Sequence, residues 1–135
     1  MVAALGVFSL VAQTLLFRDY LLVFEGNELA IGSFFGSWLL WIMIGAWGAG
    51  RTLRLARRVM DRFELLPLLY LPAFVLQQTW IQDARVWAGV ASFELFPLVR
   101  LLPTALLVTA PVSLITGWLF PLACHWVSSF APDSA

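Results

Sequence analysis

The stretch LAIGSFFGSWLLWIMIGAWGAG, residues 29–50, runs for 22 residues without a charged side chain. An α-helix rises about 1.5 Å per residue, so such a run is long enough for the roughly 30 Å of hydrocarbon in a bilayer. The rest of the chain is of the same kind. Its 135 residues are 61% hydrophobic and 12% charged, with a mean hydropathy of +0.89. Soluble domains carry about 45–50% apolar and about 25% charged residues, and a small domain buries too little surface to hide this excess. Lipid is the solvent that accommodates it. The sequence therefore predicts an all-α integral membrane protein, multi-pass, with short interfacial helices beside its spans.

Four spans are expected, at about 2–24, 29–50, 65–81 and 97–127, in one helical membrane domain of residues 1–127 that a polar tail, 128–135, follows. The first has no basic segment before it and no small-residue cleavage site after it, so it reads as a retained helix and not as a signal peptide. The third is the weakest, since Pro67, Pro72, Gln77 and Gln78 lie inside it. The fourth is longer than the hydrocarbon requires, and Pro103, Pro111 and Pro121 mark where kinks take up the excess.

Charge sets the orientation. The net charge is zero and all eight cations are arginines. Five of them, Arg51, Arg54, Arg57, Arg58 and Arg62, fall between the second and third spans. The positive-inside rule places that connection, and with it both termini, in the cytoplasm. Leu53, Ala56, Met60 and Phe63 recur there at helical spacing, which predicts a short interfacial helix whose arginines meet anionic headgroups. The connection QDARVWAGVASFEL reads as an interfacial or re-entrant segment on the far side.

The first two spans meet at RDYLLVFEGNE, residues 18–28, where charges cluster between uncharged flanks. Glycine suits the left-handed position that ends a helix and asparagine is a good N-cap, so Gly26 and Asn27 mark a turn. Glu28 suits the dipole of the helix that follows. Arg18 and Glu25 are seven residues apart on one helix face, Asp19 points about 100° away, and Gln13 extends the group inward. Gln13, Arg18, Asp19, Glu25, Asn27 and Glu28 are thus a candidate polar cluster. Two roles are open to it: packing against other helices, or holding a ligand or ion at a polar mouth.

Small residues form a second pattern. Gly32 and Gly36 make a GxxxG step, Ser33 and Ser37 repeat it one residue on, and Ala46 and Gly50 repeat it further down. Such steps let helix backbones approach in lipid, so these six residues are expected to face another helix, within this chain or in a partner. Trp47, Trp80 and Trp126 fall near span ends, as aromatic belts do, while Trp38, Trp41 and Trp118 lie deeper and are expected to pack or face lipid.

Catalytic patterns are missing. There is no phosphate-binding glycine loop, nucleophile elbow or HExxH motif. One cysteine, Cys124, excludes an intrachain disulfide, and the single histidine, His125, is adjacent to it and so points to a different helix face. No cofactor is encoded by a recognisable motif, and no basic surplus points to nucleic acid. The expected partners are membrane lipids and other membrane subunits.

The run from Gln13 to Leu29, QTLLFRDYLLVFEGNEL, then residues 32–50 ending in GAWGAG with Arg51 after them, resembles the start of the membrane-embedded domain of spermidine-synthase-like membrane proteins. The late segment APVSLITGWLFPLAC is similar to the same family's proline, glycine, Phe-Pro pattern. The resemblance implies a bacterial inner-membrane location and a helical membrane domain to which an aminopropyltransferase-like domain of Rossmann type is usually joined. It carries over no catalytic residue, because that domain's glycine motif and acidic residues have no counterpart here. Three functions are compatible with these readings: a non-catalytic subunit of a larger membrane complex, the anchor of a split or truncated spermidine-synthase-like enzyme, and a transporter-like ligand-binding module.

Overall fold

The computed structural model describes residues 2–52, 68–91 and 96–130. Four helices account for nearly all of them: α1 (Val2–Val23), α2 (Glu28–Thr52), α3 (Tyr70–Ala88) and α4 (Leu98–Phe130). There is no strand among the described residues. Arg54, Arg57, Arg58 and Arg62, with the expected interfacial helix around them, lie outside the described residues, as does residues 131–135 of the tail.

Helix boundaries follow local chemistry. The Asn27 side chain accepts from the Ala30 backbone N–H at 2.7 Å, capping α2 as its residue type foretells. Gly26 is left-handed, with φ 60°, but so is Glu25, with φ 65°. The turn therefore takes up two left-handed residues, and α1 stops at Val23 before the phenylalanine that was expected to continue it. Gly89, with φ 62°, ends α3 in the same way, and its N–H bonds back to Val86.

α3 departs from the expected span at 65–81. It runs to Ala88, so Gln82, Asp83 and Arg85 are its last turns and not part of a connection. The reason is one-sided packing. Tyr70, Ala73, Gln77, Ile81 and Ala84 recur at helical spacing and are all buried, which sustains a helix whose outer face mixes Thr79, Gln82 and Asp83 with exposed Leu71, Val75 and Val86. α1, α2 and α4 are by contrast long and apolar enough to cross a membrane, over Gly6–Val23, Glu28–Arg51 and Leu98–His125.

Cross-helix pairings give the topology. Tyr20 meets Ser33 and Phe17 meets Phe34 and Phe35, so α1 and α2 are antiparallel. Ser9 meets Tyr70, Asp19 meets Gln78 and Val23 meets Arg85, so α1 and α3 run in the same sense. Ala88 meets Arg100 and Tyr70 meets Thr116, which makes α4 antiparallel to α3. α2 and α4 are consequently parallel, and they form the most extensive helix pair.

That pair is close because two glycines interlock. A β-carbon on Gly45 would lie 2.5 Å from the Leu114 carbonyl oxygen, and one on Gly117 would lie 2.7 Å from the Ile42 Cα. Gly45 belongs to a face of α2 spaced by four, Ser33, Ser37, Trp41, Gly45 and Ala49, which is buried except at the half-buried Trp41. Behind it sit Leu16, Tyr20, Phe34, Ile81, Val108 and Leu119 in one buried core. The outside is apolar too. Leu22, Met43, Val75 and Phe120 are all more than half exposed, a distribution that water disfavours and hydrocarbon does not.

Candidate functional site

The charged residues of the first turn are gathered by α3. Arg85 is the centre: its guanidinium donates to the Glu25 carboxylate at 2.6 Å, to the Val23 carbonyl at 2.8 Å and to the Ala91 carbonyl at 2.9 Å. One side chain thus ties the end of α1, the left-handed turn and the segment after α3. One turn or so deeper, Asp19 accepts from Gln78 at 3.2 Å. Arg18 is exposed and forms no salt bridge among the described residues, so it does not meet Glu25 across the shared face. Gln13 is half-buried, and Glu28 is exposed in the first turn of α2.

Below this cap runs a chain of inward polar contacts. Tyr20 shares a 2.8 Å hydrogen bond with Ser33, whose hydroxyl also lies 2.8 Å from the Ala30 carbonyl. Tyr70 bonds Ser9 at 3.2 Å and makes a short contact with Thr116, whose hydroxyl donates to the Val112 carbonyl at 2.7 Å. Gln77, almost fully buried, accepts from the Val112 backbone N–H at 2.9 Å. That N–H follows Pro111. A proline inside a helix lacks its own N–H and pushes away the carbonyl four residues back, opening the local ladder. Gln77 fills this opening from α3, and Trp41 adds a 2.7 Å bond from α2 to the Leu106 carbonyl.

These groups are joined to one another and not aimed at a common point. No three His, Cys, Asp or Glu side chains converge among the described residues, and Cys124 and His125 are both exposed on α4. What the arrangement does is fasten helices where lipid offers no hydrogen bonds. Arg85→Ala is accordingly expected to cost about 2–4 kcal/mol, since it removes bonds to two carbonyls and a carboxylate. Glu25→Gln, at a partly exposed pair, is expected to cost less than about 1 kcal/mol. Melting curves of the two variants in detergent check this; equal losses would reduce Arg85 to an ordinary surface ion pair.

The candidate packing residues divide between two faces. Ser33 and Ser37 are buried, Ser33 against Tyr20 of α1, whereas Gly32, Gly36 and Gly50 have open space where a β-carbon would stand. Ala46 is intermediate. Trp47 is exposed at the end of α2 with the Arg51 guanidinium stacked 3.4 Å over its ring, and Trp80 packs edge-on to Trp87. Residue-type reasoning passed over Arg85, Gln77, Tyr70, Gly45 and Gly117. The four-residue spacing of Ser33, Ser37, Gly45 and Ala49 was a signal for the buried face of α2; nothing local announced the partners on α3. No protein-family model matches this sequence, and no characterised protein or solved structure matches it either.

Proposed function

We propose that this chain is a non-catalytic integral membrane subunit that packs into a larger membrane complex, with four spans, both termini in the cytoplasm, and kinship to the membrane domain of bacterial spermidine-synthase-like proteins. The observation that carries this reading is a second seam on α2, which no helix among the described residues fills. Gly32, Gly36, Leu39, Met43, Ala46 and Gly50 follow one another at spacings of four, three, four, three and four. Five of the six are exposed, and the three glycines face open space. That rhythm is the one by which helices interlock along a shared seam, and small residues at its ends allow close approach. The described helices pack on the adjacent face, so this seam is the one α2 offers to a partner's helix.

The four-span reading is supported by direction. α2 and α4 are parallel, which favours a return across the same thickness between them, and α3 runs in the direction that such a return needs. Its 19 residues reach about 28 Å at 1.5 Å each, close to the hydrocarbon thickness. Its exposed Gln82 and Asp83 are then turned toward headgroups.

Gly36→Leu tests the proposal. A leucine wedged between packed backbones costs about 1–3 kcal/mol, so recovery of the intact complex from mild detergent is expected to fall roughly tenfold. The melting temperature of the isolated chain does not fall, since position 36 faces open space. Arg57→Ala is expected to leave recovery intact. Equal recovery of complex from both variants would count against a partner at this seam.

A further inference from the structure

Between the end of α3 and the start of α4 lies an open groove of ≈ 510 Å³, walled by Trp87, Gly89, Val99, Arg100, Pro103 and Thr104. Its polar wall is the Arg100 guanidinium. Nη1 donates to the Ala88 carbonyl at 2.6 Å and reaches the Gly89 carbonyl at 3.4 Å. Both bonds use one nitrogen, so the edge formed by Nε and Nη2 has no partner among the described residues. Arg100 forms no salt bridge with a described carboxylate. Carbonyls at the end of α3 thus orient the cation without cancelling its charge, and they present a planar donor fork of the kind that matches phosphate oxygens.

The other wall is hydrocarbon. Val99 is 86% exposed and Pro103 lies one turn below it, while Trp87, half exposed, stands at the rim. Thr104 turns its hydroxyl to the Arg100 carbonyl and offers the groove no competing donor. A cationic fork above bare apolar surface, with a tryptophan beside it, has the polarity profile of a membrane–water boundary. We propose that this groove binds one membrane phospholipid, its phosphodiester on the Nε and Nη2 edge of Arg100 and an acyl chain along Val99 and Pro103. The site lies on α3 and α4, away from the open seam of α2, and stands whether or not a partner helix docks there.

The full chain in mild detergent is titrated with dioleoylphosphatidylglycerol, with dioleoylglycerol (the same tails without phosphate) and with inorganic phosphate, and bound lipid is counted by native mass spectrometry. Phosphatidylglycerol is expected to be retained about tenfold better than dioleoylglycerol, as a charge-assisted contact implies. Arg100→Gln is expected to abolish that preference. Val99→Asp gives the same loss by a route that spares the helix, because a carboxylate suits the first turn of α4 while repelling phosphate. Arg18→Gln, elsewhere on the surface, retains lipid as the parent does. The proposal is overturned if both lipids are retained equally, or if Arg18→Gln loses as much as Arg100→Gln. Displacement of phosphatidylglycerol by inorganic phosphate alone would also overturn it, by showing a free-phosphate site.

Discussion

Gly117→Ala is expected to open the helix bundle, although it adds a single methyl group. The new carbon would fall within contact distance of the Ile42 carbonyl oxygen and 2.7 Å from the Ile42 Cα. Those are main-chain atoms, and no rotamer change moves them aside. α2 and α4 must separate along their closest approach, and the Trp41 bond to Leu106 lengthens with them. Overpacking costs about 1–3 kcal/mol and sometimes more; a clash of backbone on both sides belongs at the upper end, a large share of the 5–15 kcal/mol that is typical of a fold. Gly45→Ala is expected to behave alike, its β-carbon meeting Leu114 at 2.5 Å. Gly36→Ala is the control. It enters open space and gains helix propensity of up to about 1 kcal/mol. Thermal unfolding of the three variants in detergent gives the comparison, and coincident melting of Gly117→Ala and Gly36→Ala would remove the α2–α4 contact from the centre of the fold.

Gln77→Leu is expected to destabilise the chain by about 1–3 kcal/mol, although leucine matches glutamine in bulk. It leaves the Val112 N–H without the side-chain acceptor that reaches it from α3. The effect depends on Pro111. With alanine at 111 the helix regains a backbone N–H and closes over the gap, so Gln77→Leu in that background is expected to cost less than half as much. A double-mutant cycle on melting free energies reads the coupling directly. Strictly additive losses would mean that Gln77 packs as volume and that its carbonyl oxygen serves no purpose.

The lipid-facing character of α1, α2 and α4 was legible because it rests on local runs of residues and on length. The corner at Gly26 and Asn27 was legible too, since helix stop and start chemistry depends on the residues at the corner itself. Helix faces were harder. Gly32, Ser33, Gly36 and Ser37 are all small, and a step of one residue turns a helix face by about 100°, so sequence alone does not say which pair points inward. Two hydroxyls do, for Ser33 is held by Tyr20 while the glycines stay outside. The end of α3 was harder to read because Gln82, Asp83 and Arg85 look like the start of a connection, yet the helix continues to Ala88 and Arg85 is spent on Val23, Glu25 and Ala91. Arg85 and Glu25 stand 60 positions apart, and no periodicity connects residues at that distance. The second left-handed residue at Glu25 was invisible for a related reason: that conformation is uncommon for a side-chain-bearing residue, and here the hold of Arg85 on its carboxylate accompanies it.

The parallel pairing of α2 with α4 also constrains biogenesis. A translocon delivers segments in order, and the backbones of α1 and α2 approach closely at few points, with Phe17 and Tyr20 meeting Ser33, Phe34 and Phe35. α2 therefore waits, its Ile42 and Gly45 uncovered, until residues past 118 have entered the bilayer and Gly117 can be threaded against Ile42. During that interval the contact at Gly45 is uncovered, and an early-arriving neighbour can occupy the place meant for α4. Late closure of a long-range contact makes the nascent intermediate the stage at which this protein is most open to mispairing.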